Sequence, residues 1–236
     1  MKNLKISLFS FFCLLLLITT SCVKEKITSP IEDFSIELPT ISSINLNFPA
    51  TVRIQQGPAQ QIQITAQEEI FDALTKTVNN GVWNINLPGS WGYTSATINI
   101  ILPQLVELKT TSTGDIKVAD FFNNPAPLRL SSTSTGDIYF NGEAPTMIVE
   151  MEGTGDIELV GRTENLSVDI EGMGDLNAYD LQAEIATVIA NDMGSAEVRV
   201  QRTLDATITD LGDIYYKGTP VIDSNISGSG KLVDAN

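Results

Sequence analysis

Apolar and polar residues alternate along most of this chain, and the alternation repeats around a series of glycines. The positions eight, six and four residues before each of these glycines are mostly apolar, and the position two residues after it is apolar as well. Period-two alternation is typical of a strand that buries one face, so each repeat predicts two strands joined by a turn. The repeated glycines are Gly114, Gly136, Gly155, Gly174, Gly194, Gly212 and Gly230.

The spacing of these glycines, 18–22 residues, predicts the overall architecture. Self-similarity at such a period is typical of a solenoid, in which each strand pairs with its copies above and below. A leucine-rich repeat has a similar period, but its Leu-x-x-Leu-x-Leu signature is missing. We therefore expect an all-β, parallel β-helix-like solenoid of about seven coils. Each Gly-Asp pair would form a corner that needs either a positive φ or a close backbone approach.

Residues 34–103 lack the Gly-Asp repeat but still alternate as strands do. The segment "VNNGVW" carries the Asn-Gly signal of a hairpin, and "EEIFDALTK" predicts one short helix. No linker composition separates this segment from the Gly-Asp repeats. We therefore predict one domain over residues 34–236, with an N-terminal β segment (34–103) that caps the Gly-Asp repeats (104–236).

The first 22 residues have the pattern of an export signal. Lys2 and Lys5 precede a short apolar run, and "ITTSC" then resembles a lipobox, the lipidation signal of bacterial lipoproteins. The resemblance implies that residues 1–21 are removed and that Cys22 is lipidated. An ordinary signal peptide cut near the same place is the alternative. Residues 22–33 would then form a lipidated tether to the membrane.

The amino-acid composition excludes several classes of partner and of catalytic site. The formal net charge of −15 argues against a nucleic-acid partner, because phosphate contacts need clustered Lys and Arg. The absence of histidine excludes Ser-His-Asp and Cys-His catalysis and His-ligated zinc. Cys13 would leave with the signal peptide, so Cys22 would be the only cysteine of the mature chain.

The sequence resembles one known family over about residues 34–234. The resemblance rests on "VRIQQGPAQQIQITAQEEIFDALTKTVNNGVWNINLP", on "LPQLVELKTTSTGDI", on the later Gly-Asp repeats and on the closing "SGSGKL". It is to the family called putative auto-transporter adhesin, head GIN domain, common in Bacteroidetes-type lipoproteins. The resemblance implies a right-handed β-helix-like solenoid on an exported protein, and it brings no catalytic residues. Two repeats depart from the pattern, with Ser195 and Lys231 in place of the aspartate.

The aspartates after the repeated glycines form the first candidate site. Stacked coils would place like charges about 5 Å apart, which is unfavourable unless a cation or hydrogen bonds compensate. A calcium ladder is one interpretation, although the calcium-binding nonapeptide pattern is absent. Hydrogen bonding of the carboxylates to turn amides is the other and favoured interpretation. The column consists of Asp115, Asp137, Asp156, Asp175 and Asp213.

A second acidic candidate lies on two neighbouring coils, where Glu150, Glu152, Asp169 and Glu171 occupy outward positions. These carboxylates could hold a divalent cation, or act in pairs in glycoside hydrolysis. The plainer interpretation is a solvated charged face that prevents edge-to-edge aggregation.

The third candidate is aromatic. "GSWGY" places Trp91 and Tyr93 in a glycine-rich loop, with Trp83 upstream. Exposed aromatic rings stack on sugars and anchor interfaces, whereas buried ones simply pack in a core.

These patterns predict an exported, lipid-anchored protein of the cell envelope, placed at the outer membrane, with a non-enzymatic binding, adhesin-like or structural role. Its partners would be the membrane, through the lipid, and a surface glycan or host protein. No cofactor is expected apart from the calcium interpretation. The alternatives from other classes are a carbohydrate-active β-helix enzyme and a calcium-stabilised structural module.

Overall fold

The computed structural model describes residues 26–92, 94 and 96–236. Residues 1–21, Cys22 and Tyr93 lie outside the described residues. More than half of the described chain is β-strand, and one short helix, α1, is described at Glu68–Ala73. None of the helical structure described is long and apolar enough to cross a membrane.

The strands, numbered in chain order, are short in the first half of the chain and long in the second. They are β1 Ile31–Ile36, β2 Ser43–Leu46, β3 Thr51–Gln56, β4 Gln61–Gln67, β5 Val78–Asn79, β6 Val82–Ile85, β7 Thr97–Leu102, β8 Glu107–Thr110, β9 Asp115–Asn123, β10 Leu128–Ser132, β11 Ile138–Met151, β12 Ile157–Ile170, β13 Leu176–Ala190, β14 Ala196–Ile208, β15 Ile214–Lys217, β16 Val221–Ile226 and β17 Leu232–Asp234.

These strands stack into two layers. Layer I runs in the order β5, β6, β2, β8, β10, then the C-terminal halves of β11 to β14, and finally β16. Layer II runs in the order β1, β4, β7, β3, β9, then the N-terminal halves of β11 to β14, and finally β15 and β17. The Gly-Asp turns carry the chain from layer I to layer II. At about 4.8 Å per strand, the stack is roughly 50 Å long.

The alternation in the sequence explains why the stack forms. In the last part of β13, for example, Ala186, Val188 and Ala190 are fully buried, while Thr187 and Ile189 between them are more exposed. The buried sides of both layers join in one hydrophobic core. The predicted solenoid of about seven coils is therefore confirmed.

The N-terminal segment continues both layers rather than forming a separate body. Strand β2 pairs in register with β8, and β3 pairs with β9, each in parallel. Beyond them β4 and β1 pair antiparallel, and α1 lies beside these strands. The predicted helix and hairpin are both present, with positive φ at Asn80 (51°) and Gly81 (80°). Strand β1 begins at Ile31, so the last residues assigned to the tether already belong to the sheet.

The repeated glycines are required by close backbone approach. None of them has a positive φ, but a Cβ added at Gly155 would lie 2.2 Å from the carbonyl oxygen of Gly136. The same contact recurs one coil later, where a Cβ at Gly174 would lie 2.1 Å from the Gly155 oxygen. Positive φ occurs instead at glycines where layer II returns to layer I, namely Gly161 (120°) and Gly218 (101°).

Candidate binding groove

The aspartate column forms a ladder of hydrogen bonds to backbone amides. The Asp137 carboxylate accepts from the amide of Asp156 at 2.8 Å, and Asp156 accepts from the amide of Asp175 at 2.8 Å. Asp115 accepts from the Asp137 amide at 3.2 Å in the same way. Each carboxylate therefore ties its own coil to the next one. This geometry agrees with the interpretation of the aspartates as turn acceptors.

The two repeats that lack aspartate fit the same ladder. Ser195 donates its amide to Asp175 at 2.8 Å, and its hydroxyl oxygen accepts from the Asp213 amide at 3.3 Å. Lys231 donates its amide to Asp213 at 2.7 Å and occupies the last coil. No further coil follows among the described residues, so an acceptor at position 231 would have no amide to bind. In the middle of the ladder the Ser195 hydroxyl can replace a carboxylate as the acceptor. At the last coil, position 231 needs no acceptor.

The second acidic candidate is only partly brought together. Glu150 and Asp169 are register partners on neighbouring strands of layer I, while Glu152 and Glu171 lie in the turns that come after those strands. Arg129 forms an ion pair with Glu150. Burial, and secondarily the Glu150 charge, raise the pKa of the Asp169 carboxyl, against a hydrogen bond from Asn191. In the part of the chain that is described, no three such side chains are grouped to hold a metal ion.

The tryptophans differ in their exposure. Trp83 is fully buried, and its ring nitrogen donates to the carbonyl of Thr75 at 2.8 Å. Because its ring faces the core, Trp83 offers no surface to a ligand, and the prediction of a binding role for it is wrong. Trp91 is half-buried: its ring packs over Gly89 and donates to the carbonyl of Pro88 at 2.7 Å. Trp91 is thus only partly accessible to a ligand.

A further depression lies elsewhere, on the outer face of layer II near its N-terminal end. This groove has a volume of about 780 Å³ and crosses strands β1, β4, β7, β3 and β9. Its lining combines apolar side chains, such as Ile36 and Ile101, with polar and charged ones. The polar and charged residues include Gln55, Gln61, Gln63, Asn99, Asp120 and two cations, Arg53 and Lys117. We call it the layer II groove.

Strand register explains how distant parts of the sequence meet in the layer II groove. Ser35 is the register partner of Gln63, Gln63 of Asn99, Asn99 of Arg53, and Arg53 of Lys117. These residues sit at outward positions of five neighbouring strands, so their side chains form a row across the sheet. The row continues through Tyr139, Glu158 and Asn177. A second cavity of about 420 Å³ lies over this part and shares Lys117 with the first.

Arg53 and Lys117 make the layer II groove unusual in so acidic a chain. They are neighbours in register on parallel strands, where like charges repel. Neither forms an ion pair with another described residue, whereas Arg129 and Arg162 are both paired with glutamates. Asp120 lies in the groove but accepts a hydrogen bond from Gln55 at 2.8 Å. Two cations without an ion pair thus line the groove, together with the carboxylates of Asp120 and Glu37.

A column of exposed apolar side chains marks the turn edge of the later coils. Met173, Met193 and Leu211 precede the repeated glycines of three successive coils and are 53%, 50% and 56% exposed. Earlier coils carry threonine at the same position. Neither this column nor the layer II groove was predicted from the sequence. Comparing the residue before each repeated glycine from coil to coil would have revealed the apolar column in the sequence.

The chain belongs to the family described as putative auto-transporter adhesin, head GIN domain, which matches residues 41–220. This confirms the resemblance found in the sequence. A comparison with curated protein sequences gave no significant match.

Several solved structures share the fold. A putative adhesin from Bacteroides fragilis NCTC 9343 is 18% identical, with a TM-score of 0.76 over 86% of this chain and 96% of its own. A putative adhesin from Parabacteroides distasonis ATCC 8503 is 17% identical, with a TM-score of 0.69 and the same coverage of both chains. A putative lipid binding protein from the same strain is 21% identical, with a TM-score of 0.68 over 89% of this chain and 100% of its own. At these identities the likeness establishes the solenoid fold.

Proposed function

We propose that this protein is an exported lipoprotein, anchored through Cys22 to the outer membrane, that binds a surface glycan in the layer II groove without chemical turnover. The adhesin description of its family and of its structural neighbours favours a binding role. The observation that carries the assignment to the groove is the row of Gln63, Asn99, Arg53 and Lys117 on adjacent strands.

The chemistry of this row suits a sugar chain that carries acidic groups. Amide side chains donate and accept hydrogen bonds, as sugar hydroxyls require, and neither Gln63 nor Asn99 uses its side chain to bond another described residue. Arg53 and Lys117 would neutralise a carboxylate or sulfate, which would also relieve their mutual repulsion. An extended ligand fits because the row crosses many strands, as is common for solenoid binding surfaces.

The name of one structural neighbour suggests a lipid as the alternative ligand. Polar side chains dominate the row in the layer II groove, so we favour a glycan over an acyl chain. A carbohydrate-active enzyme remains the alternative from another class, with Glu152 and Glu171 as its carboxylates. Under the present proposal there is no turnover to lose, and replacing both with glutamine should leave glycan binding unchanged.

The test is binding of the labelled chain from residue 26 onward, which carries every described element, to an array of neutral and acidic glycans. We expect reproducible binding to acidic glycans, and we expect the Arg53→Ala/Lys117→Ala variant to lose it by more than tenfold. The matched control is Arg202→Ala/Lys109→Ala, which removes the same charges from other surfaces and should bind normally.

Three outcomes would contradict the proposal. An array without reproducible binding would exclude these glycans as ligands. Binding that survives the groove variant but disappears on Trp91→Ala would move the site to the loop at residues 89–92. Binding lost only in the presence of a chelator would move it to the acidic coils and favour the calcium interpretation.

A further inference from the structure

The two ends of the solenoid are finished differently. At the N-terminal end, β4 and β1 turn antiparallel, and α1 packs beside them. At the C-terminal end, layer I simply stops at β16, which pairs only with β14 among the described strands, and layer II stops at β17. The C-terminal end therefore presents an open edge of unpaired backbone groups, which is a template for another strand.

The side chains of β16 show the same lack of a cover. Ile222 and Ile226 continue columns whose previous members, Leu204 and Ile208, are fully buried. Here they are 38% and 46% exposed, and Val221 is 75% exposed. The core columns thus reach the end of the molecule with their apolar side chains in solvent. Natural proteins usually protect such an edge.

The hydrogen bonds fix which backbone groups face outward. The amide of Ser227 donates to the carbonyl of Ile208 on β14 at 2.9 Å. In a parallel pair, alternate residues direct both backbone groups to the same neighbour, so Asn225 and Asp223 also face β14. Ile222, Ser224 and Ile226 consequently direct their N–H and C=O groups to the open edge.

We propose that β16 pairs antiparallel with β16 of a second copy, in the register that places Ser224 opposite Ser224 of the second copy. In this register all three outward-facing residues form hydrogen-bonded pairs with their counterparts. Ile222 lies opposite Ile226 of the second copy, so apolar side chains meet on the inner face. Asp223 lies opposite Asn225 of the second copy, so a carboxylate meets an amide donor rather than another carboxylate.

This register is selected by two independent requirements. Centring the pair on Asp223 would put two carboxylates together and would oppose residues whose N–H groups already bond β14. The register centred on Ser224 pairs the outward backbone N–H and C=O groups and also avoids placing two carboxylates opposite each other. The symmetry is two-fold, so the contact closes into a dimer. A filament would need β16 to meet the N-terminal end of layer I, where β5 has only two residues.

The dimer has a consequence for membranes, which rests on the lipid anchor of the proposed function. The two N-terminal ends would point away from each other, roughly 100 Å apart for two stacks end to end. Residues 22–27, which precede the contacts of Thr28 and Ser29 with Glu69, can span about 20 Å when fully extended. A dimer that lies along the membrane surface could place both anchors in that membrane, whereas a dimer that stands upright places only one anchor there and leaves the other free to enter a second membrane. In the upright arrangement the dimer would bridge two membranes. The protein would then act as a homotypic adhesin.

Cysteine cross-linking tests the register directly, because the chain from residue 26 onward contains no cysteine. Residues opposite each other in a hydrogen-bonded pair have Cα atoms about 5.5 Å apart, within the range of a disulfide. Ser224→Cys should form a covalent dimer under mild oxidation. Asn225→Cys is the matched control and should not, because its counterpart across the edge is Asp223. Equal cross-linking of both variants would overturn the proposed register.

Sedimentation of the same chain tests the association itself. We expect a concentration-dependent dimer that is lost in Ser224→Pro, because the ring removes an outward amide and no bond to β14. Ile222→Lys should also be monomeric, while Met193→Lys, at an exposed apolar site on the turn edge, should dimerise normally. A wild-type chain that stays monomeric at high micromolar concentration, or one that forms filaments, would overturn the proposal.

A vesicle-clustering experiment tests membrane bridging separately from dimerisation. The full lipidated protein on phosphatidylcholine vesicles should cluster them, and Ile222→Lys should not. Dimers in solution without vesicle clustering would overturn the bridging step and leave the edge contact standing. Glycan binding by Ser224→Pro should match the wild type, so failure of the edge contact and failure of the glycan site can be told apart.

Discussion

At the scale of single residues, the Gly-Asp pair holds successive coils together in two ways. The glycine lets the backbone of one coil approach the carbonyl of the previous coil, and the aspartate accepts an amide of the next coil. The pair recurs because every coil has two neighbours at the same spacing. This explains the repeat without requiring a ligand at the turn.

The first prediction concerns the close approach at Gly155. Because an added Cβ would lie 2.2 Å from the Gly136 oxygen, Gly155→Ala must push two coils apart. We expect the free energy of unfolding to fall by about 3 kcal/mol or more, measured by denaturant titration. Gly92→Ala is the control, since nothing lies within 4 Å of a Cβ there. Equal stability of both variants would contradict the close-approach account.

The second prediction separates the amide ladder from a calcium ladder. Asp156→Ala removes the acceptor for the Asp175 amide and should lower the free energy of unfolding by about 1 kcal/mol. Asp156→Asn keeps a side-chain oxygen and should lower it less. The melting temperature of the wild type should not change when a chelator is added. A chelator-dependent drop, absent from both variants, would instead support bound calcium.

At the scale of elements, the N-terminal end depends on contacts between the first described residues and helix α1. The Glu69 carboxylate accepts from the amides of Thr28 and Ser29 at 2.9 and 3.1 Å, and from both of their hydroxyls. These hydrogen bonds lower the pKa of Glu69 from 4.5 to about 2, and the bond from the Ser29 hydroxyl has the largest effect. The helix is thus tied to the chain that leads into β1.

The third prediction rests on the sign of this shift. A carboxyl with a lowered folded-state pKa stabilises the fold above its unfolded value, and that stabilisation is lost as the pH falls from 4.5 to about 2. The stability difference between the wild type and Glu69→Gln should therefore shrink over this range when unfolding is followed against pH. A constant difference for Glu69→Gln would contradict the role of the ionised carboxylate.

Local patterns sufficed to predict most of the elements. Alternation predicted the strands, because each buries one side, and Asn80-Gly81 predicted the hairpin through its positive φ values. The layer II groove could not be predicted in this way. It depends on Arg53 meeting Asn99 and Lys117, three positions distant in sequence that are joined only by strand pairing. The burial of Trp83 depends equally on the packing of the finished core.

At the scale of the whole molecule, the solenoid separates its surfaces. The outer face of layer II carries the groove near the capped end, the turn edge carries Met173, Met193 and Leu211, and the open edge β16 lies at the far end. Such separation allows a glycan and a second copy to bind at once.

The fourth prediction concerns the charge of the groove ligand. If Arg53 and Lys117 face an acidic group, the affinity for the glycan should fall as the ionic strength rises. The variant that lacks both cations should bind weakly with little salt dependence, as measured by calorimetry. An affinity that is independent of salt in the wild type would contradict an anionic ligand.

The central claim, that the protein binds through the layer II groove, is tested most directly by nuclear magnetic resonance. The isotope-labelled chain from residue 26 onward would be titrated with an acidic glycan that binds on the array. We predict that the largest shift changes occur at Arg53, Gln63, Asn99 and Lys117, on four different strands of one face. Changes confined to Trp91, to the turn edge or to the acidic coils would contradict the claim.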